Sequence, residues 1–273
     1  MLKPAMKAAA LLALVAMLCA ERLRALVDLW RHDSLYSMGP LILLASVWLV
    51  CRDRRRLAAM PPQPHWLGPL LLVAVPLLIP WLPFTPVILI IALCGIVLTV
   101  WGARFLRAVA FPIGFLFFTS PIPTPLVAWA DYPLQLFCAH VTEIFAHVAG
   151  FRVARQGAAI ILPNFHMYVA PECNGLRSAV ALLALTVVWT HLIAGKPVFK
   201  TVLLAAAVPI AYMCNFLRLF VDVFITNALG QSRFACYEHA YDLLCGFLIF
   251  LGSAWTMVQL GALLKCRSIK AIS

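Results

Sequence analysis

The sequence predicts an all-α integral membrane protein. It should be one polytopic domain over residues 1–273, with about eight transmembrane helices, an interfacial helix at the outer face and a short hairpin beside it. Three observations carry that expectation. Of the 273 residues, 64% are hydrophobic and only 11% are charged, and the mean hydropathy is +0.98; a water-soluble domain carries about 25% charged residues. The apolar residues come in runs close to the roughly 20 positions a helix needs to cross a bilayer. The basic residues fall in short clusters between those runs.

The first run, 4–20, follows Lys3 and Lys7 as the apolar core of a signal peptide would, but the runs after it favour a retained anchor. The second, 35–51, ends on the cluster Arg52, Arg54, Arg55 and Arg56. Runs at 66–82 and 84–103 follow. The fifth, 108–129, contains Pro112, Pro121, Pro123 and Pro125, which predicts a broken or re-entrant helix. The last three are 176–195, 201–224 and 243–264. Between the fifth and sixth lies the longest stretch without a clear span, residues 130–175, and long loops in compact proteins are usually functional. Its first part sets Leu134, Phe137, Cys138, Val141, Phe145 and Val148 at helical spacing, opposite Gln135, Glu143 and His147, which predicts an amphipathic helix lying in the interface. Its second part, 158–170, reads as a hairpin about Pro163 and Asn164. The hairpin leads to Pro171, Glu172 and Cys173, just before the sixth run.

Translocation disfavours Lys and Arg in short loops, so the arginine cluster at 52–56 predicts a cytoplasmic loop. Alternating from there puts Lys3, Lys7, Arg104, Arg107, Lys196, Lys200, Lys265, Arg267 and Lys270 on the same side, more than half of the 21 basic residues. All of the 10 acidic residues except Asp53 then face outward. The expected protein is a multi-pass inner-membrane protein with both termini cytoplasmic and residues 130–175 outside.

The net charge of +11 would suit a nucleic acid, but the basic residues form no continuous patch, and no nucleic-acid partner is expected. The 9 cysteines include no CxxC pair, and Cys19, Cys51 and Cys94 fall inside apolar runs as small hydrophobes do. No disulfide framework, metal or other cofactor is expected. Cys173, Cys236 and His239 with His166 match no common zinc spacing; a Cys173–Cys236 bridge at the outer face is the other structural alternative.

Three residues ask for a chemical explanation. Cys173 precedes a helix expected to begin near Asn174, whose unpaired N–H groups and positive dipole end would favour a thiolate, with Arg177 one turn on. The bland alternative is an inert interfacial cysteine. Arg218 falls inside the seventh run, where a central Arg costs roughly 2.5 to 3.5 kcal/mol on insertion scales. It needs a partner or a task, and Asn215 and Asp222 lie at i−3 and i+4 on its face, so a structural Arg–Asp pair competes with stabilisation of an oxyanion. His239 is expected in the outer loop before the eighth run, beside Glu238 and near Asp242, where its ordinary pKa suits proton transfer. The remaining histidines, His32, His65, His140, His147 and His191 among them, carry no such signal, although His166 is close to Cys173 in sequence. The three helices would bring Cys173, Arg218 and His239 to one leaflet: a nucleophile, an oxyanion stabiliser and a base, the parts that acyl transfer requires.

On these residues the sequence resembles the exosortase and archaeosortase family of membrane-embedded cysteine transpeptidases. The resemblance lies in Glu172-Cys173-Asn174-Gly175-Leu176-Arg177-Ser178, in Asn215-Phe216-Leu217-Arg218-Leu219, and in His239 before an apolar helix carrying Gly246 and Phe250. It covers about residues 85–262; the helices before residue 82 match only as hydrophobic spans. The family usually has Ser where Asn174 stands and a Gly closer to the His than Gly246 is, and some relatives carry Arg in place of the His, for which Arg233 is the counterpart here. The resemblance implies catalysis by Cys173, Arg218 and His239, supported by Glu172, Asn174, Arg177, Asn215 and Asp222. It also implies exported substrate proteins with a C-terminal sorting signal, in which a short motif, commonly Pro-Glu-Pro, precedes a transmembrane helix and a basic tail. The product would pass through a Cys thioester to an acceptor nucleophile that the sequence does not name. Two other readings stay open: a membrane cysteine protease that only hydrolyses, and a transporter or polysaccharide-export component in which Arg218 and Asp222 line a polar path.

Overall fold

Proline placement and apolar runs decide where the helices begin and end. The computed structural model describes residues 4–120, 122–163, 165–229 and 231–263, and the side chains of residues 165, 172, 229 and 231–243 also lie outside the described set. The chain forms two compact units, Met1–Pro123 and Thr124–Ser273.

The first unit contains α1 (Pro4–Leu18), α2 (Ala20–His32), α3 (Gly39–Arg52), α4 (Arg54–Ala58), α5 (Leu67–Leu78), α6 (Thr85–Val100) and α7 (Ala103–Phe115). Pro40 and Pro86 stand in the first turns of α3 and α6, where a missing N–H breaks no helical hydrogen bond. Val15 and Cys19 pack with Val75 of α5 and Ile88, Ala92 and Ile96 of α6 in one buried cluster. Side chains tie the loops to this core. Arg22 donates to the Ile79 carbonyl at 2.8 Å, Trp30 to that of Thr119 at 2.9 Å and Tyr36 to that of Ile122 at 2.7 Å. α7 passes into a 3-10 turn at Leu116–Thr119, so the proline-rich fifth run breaks, as expected.

The second unit contains α8 (Thr124–Val148), three short strands, and α9 (Leu176–Leu192), α10 (Pro197–Leu229) and α11 (Gln231–Leu263). The strands β1 (Ala154–Gln156), β2 (Ala159–Leu162) and β3 (Phe165–Tyr168) form an antiparallel sheet in sequence order. Leu162 pairs with Phe165, so β2 and β3 form the expected hairpin, with Asn164 outside the described residues, and β1 adds a strand to it. Arg155 of β1 pairs with Glu143 of α8 at 3.1 Å and pins the sheet to that helix. The core behind the sheet joins Cys138, Ala139 and Ala146 of α8 to Ile160, Leu162 and Val169 and to Phe216, Leu219 and Val223 of α10. Lys200 donates to the carbonyls of Thr190 and Ile193 at 2.6 and 2.7 Å, closing the C-terminal end of α9.

Three expectations are corrected. Among the described residues only Ser34–Arg52, Pro197–Ala228 and Leu244–Leu263 are long and apolar enough to cross a membrane, with a fourth span if Ala103–Thr119 and Thr124–Val148 count as one broken helix. Eight spans of full length are not found among the described residues, because helices such as α5 end in turns before they reach that length. Its 12 residues rise only about 18 Å at 1.5 Å each. The interfacial helix expected at 134–148 is the second half of the 25-residue α8. Its inward face is also not the apolar one: Gln135, Cys138, Ala139, Thr142 and Ala146 are buried, while Phe137, Phe145 and Val148 are exposed. Where the solvent is lipid, the large apolar side chains face outward and the small and polar ones pack inward. Finally, His239 lies within α11 rather than in a loop, because the helix begins at Gln231.

Candidate active site

Cys173 closes a 3-10 turn, Pro171–Cys173, that Pro171 opens and the extended Ala170 enters. Its N–H donates to the Ala170 carbonyl at 2.8 Å. Two residues separate it from α9, whose first helical residue is Leu176, two positions after Asn174, near which the helix was expected to begin. Gly175 between them has φ +84°, the left-handed region. A Cβ there would lie 3.0 Å from the Tyr212 ring and 3.2 Å from Asn215 Nδ2, so both backbone and space demand glycine. The turn also changes the helix-terminus argument. Asn174 Oδ1 accepts from the Leu176 N–H at 2.9 Å, so that donor is already engaged.

A guanidinium stands beside the sulfur. Arg218 Nη2 lies 3.8 Å from Cys173 Sγ and Nε lies 4.0 Å from Asp222 Oδ2. Both side chains are largely buried. One guanidinium thus stands between the two groups, with Nη2 toward the Cys173 sulfur and Nε toward Asp222. Asn215, one turn before Arg218 and 2% exposed, donates from Nδ2 to the Cys173 carbonyl at 2.9 Å. Asn215, Arg218 and Asp222 share a face of α10, as their spacing predicts.

The turn is held from the other side by α8. Asp131, Gln135, Cys138 and Thr142 recur at helical spacing along one face of that helix. Asp131 Oδ1 accepts from Asn174 Nδ2. The Cys138 thiol donates to the Asn174 carbonyl at 3.3 Å, and Asn215 Nδ2 lies 3.8 Å from the same sulfur. Gln135 accepts from the Tyr168 hydroxyl of β3 at 3.0 Å. Asp131 and Cys138 were not singled out by sequence reasoning. The signal that could have found them is the 131, 135, 138, 142 stripe of polar or small side chains along one face of α8.

Cys173, Asn174, Asn215, Arg218 and Asp222 are thus brought together. Arg177 is exposed in the first turn of α9, and among the described residues no contact ties it to the sulfur. His166 is exposed on β3. The side chains of Glu172 and His239, and of Arg233, Cys236, Glu238 and Asp242, lie outside the described residues, and so does the Cys173–Cys236 alternative.

Geometry of this kind suits covalent chemistry at sulfur: a partly buried thiol, a cation within reach of it, and a main-chain turn held from two helices. No curated protein and no solved structure matches the chain. A family model described as transmembrane exosortase does, over residues 30–258, which takes in every element around Cys173. On a match that long, the chain belongs to the transmembrane exosortase family.

Proposed function

We propose that the protein is a cysteine transpeptidase that cuts the C-terminal sorting signal from exported proteins, with Cys173 as nucleophile, Arg218 as charge stabiliser and His239 as proton carrier. The observation that carries the reading is the approach of Arg218 Nη2 to Cys173 Sγ at 3.8 Å across 45 positions of sequence. Membership of the exosortase family supports it.

In this reading the Cys173 thiolate attacks the scissile carbonyl, and the carbonyl oxygen takes up the negative charge. Arg218 is near enough to neutralise first the sulfur and then that oxygen, and a preorganised donor at a developing oxyanion contributes about 10²- to 10³-fold in rate. The C–N bond breaks as His239 gives a proton to the leaving amine, which departs with the membrane tail. The remaining acyl group is a thioester on Cys173. An acceptor nucleophile then loses its proton to His239, attacks the thioester and frees the thiolate. Asp222 orients Arg218 from the Nε side, and Asn215 fixes the Cys173 carbonyl. Arg177 adds positive charge to the same end of α9, and Glu172 stands next to the nucleophile in the chain. Arg233 is the alternative to His239.

The substrates implied are exported proteins that carry a short motif, a transmembrane helix and a basic tail, and they meet the enzyme within the lipid bilayer. Transfer and hydrolysis separate on one measurement, the mass of the released protein's C-terminus. Transfer leaves the added mass of the acceptor; a free carboxylate on every product would reduce the enzyme to a protease. Unchanged release in cells lacking the protein would dismiss both.

The reading also requires the Cys173 turn to face the exterior of the inner membrane. Reporters fused after Arg56 and Lys200 should read cytoplasmic, and those after Gly150 and Gly230 external. A cytoplasmic signal at Gly150 would put the site on the side where no exported substrate is met.

A further inference from the structure

We infer that Asp131 is a positioning residue for Cys173, acting through the side chain of Asn174. This rests on the reading of Cys173 as the nucleophile. An Asn amide is nearly symmetric in shape, and its two ends differ only in hydrogen bonding: the nitrogen donates and the oxygen accepts. In this protein the two neighbours of the Asn174 amide are opposites. Asp131 Oδ1 meets Nδ2, and an ionised carboxylate can only accept. The Leu176 N–H meets Oδ1 at 2.9 Å, and a backbone N–H can only donate. A flipped amide would set oxygen against carboxylate and NH₂ against N–H, so the pair of neighbours permits one orientation.

The consequence reaches the sulfur through the main chain. Asn174 is 2% exposed, and its side chain spans the interval from α8 to the first residue of α9. The residue before it carries the thiol, and Gly175 after it is already confined by Tyr212 and Asn215. Asn215 holds the Cys173 carbonyl at 2.9 Å and Cys138 the Asn174 carbonyl at 3.3 Å, both from behind the turn. Asp131 completes that set of contacts and brings a charge to it. An asparagine at position 174 reaches both neighbours at once. A serine hydroxyl could accept from the Leu176 N–H, but its shorter side chain cannot also reach α8, and Asp131 would lose its donor.

The test compares the rate at which a membrane-impermeant maleimide alkylates Cys173, read on the Cys173 peptide by mass spectrometry, across variants of the full-length protein in membranes. Asn174→Asp sets two carboxylates face to face and should slow alkylation about tenfold, the scale on which contacting pairs couple. Asp131→Ala should slow it by a similar factor. Asp131→Asn added to Asn174→Asp rebuilds an amide–carboxylate pair in reverse, with the relocated carboxylate accepting from both the new amide and the Leu176 N–H. That exchange should recover most of the loss. A residue that merely stabilised α8 would lower the amount of protein in the membrane without changing the alkylation rate of what remains. Should Asn174→Asp fail to accumulate, Asp131→Ala against wild type carries the comparison. Equal alkylation rates in all variants, or no recovery in the exchange, would overturn the inference. Processing by a Cys173→Ala variant would instead overturn the assignment of the nucleophile, and the alkylation rates would still report on the turn.

Discussion

Cys173→Ala and Cys173→Ser should each abolish processing, leaving the precursor with its sorting signal in the membrane. Deleting the nucleophile of a covalent mechanism lowers turnover by about 10³-fold or more. Serine keeps the size and the position of the attacking atom, but its hydroxyl is far less acidic than a thiol. A site that activates its nucleophile with a neighbouring cation and not with a strong base does not ionise it. The alanine variant should also be well folded, since Cys173 is only partly buried and the bonds that hold its turn go to its backbone and to Asn174. Chemical labelling offers the same test without mutation. A membrane-impermeant thiol reagent should reach Cys173 before Cys138, which is fully buried, and before Cys19, which is buried in the first unit. Labelling should block processing. Substrate covering the sulfur would hide it, so the labelling belongs in cells lacking sorting-signal proteins. Normal processing by Cys173→Ser would remove the cysteine mechanism, and the transporter alternative would gain.

The legible part of this protein was the neighbourhood of Arg218 more than the length of its helices. Arg218 stood out because a charge in an apolar run is expensive, and that argument needs no knowledge of the fold. Its spacing to Asn215 and Asp222 then fixed a shared face, which the structure preserves. The hairpin about Pro163 and Asn164 was legible from turn chemistry. The spans were less so. Hydropathy registers where apolar residues are, while helix ends depend on prolines and turns, and so α1, α5, α6 and α9 fall short of the length expected of a span. The face of α8 was misread for a physical reason. Amphipathicity assumes that water is outside, and in lipid the sense reverses, so Gln135 is buried where it was expected to be exposed. Reading that face the right way round would have exposed Asp131 and Cys138. The contact from Asp131 to Asn174 spans 43 positions and belongs to no motif, so only the fold could reveal it.

Arg218→Lys should lower processing by about 10²- to 10³-fold while the protein still reaches the membrane in normal amount. The prediction rests on the two edges that the guanidinium uses at once, Nη2 toward the Cys173 sulfur at 3.8 Å and Nε toward Asp222 at 4.0 Å. An ammonium on a flexible stem keeps the charge and can satisfy Asp222, which is 7% exposed and needs a cation. It cannot present a second donor at a fixed angle to the sulfur or to the oxyanion. Arg218→Ala is the poorer experiment, because it removes a cation 4.0 Å from a buried carboxylate, and breaking a buried pair costs about 3 to 5 kcal/mol. Arg218→Ala combined with Asp222→Asn avoids that charge and should fold, yet remain inactive. Asp222→Asn alone keeps Arg218 and should retain more activity than any Arg218 variant. The alkylation rate of Cys173 at neutral pH should fall in Arg218→Ala combined with Asp222→Asn, since the positive charge that favours the thiolate is gone. Near-normal processing by Arg218→Lys, together with severe loss in Asp222→Asn, would reverse the assignment: Arg218 would then be the structural partner of Asp222, and the charge on the oxyanion would have to be met by another group.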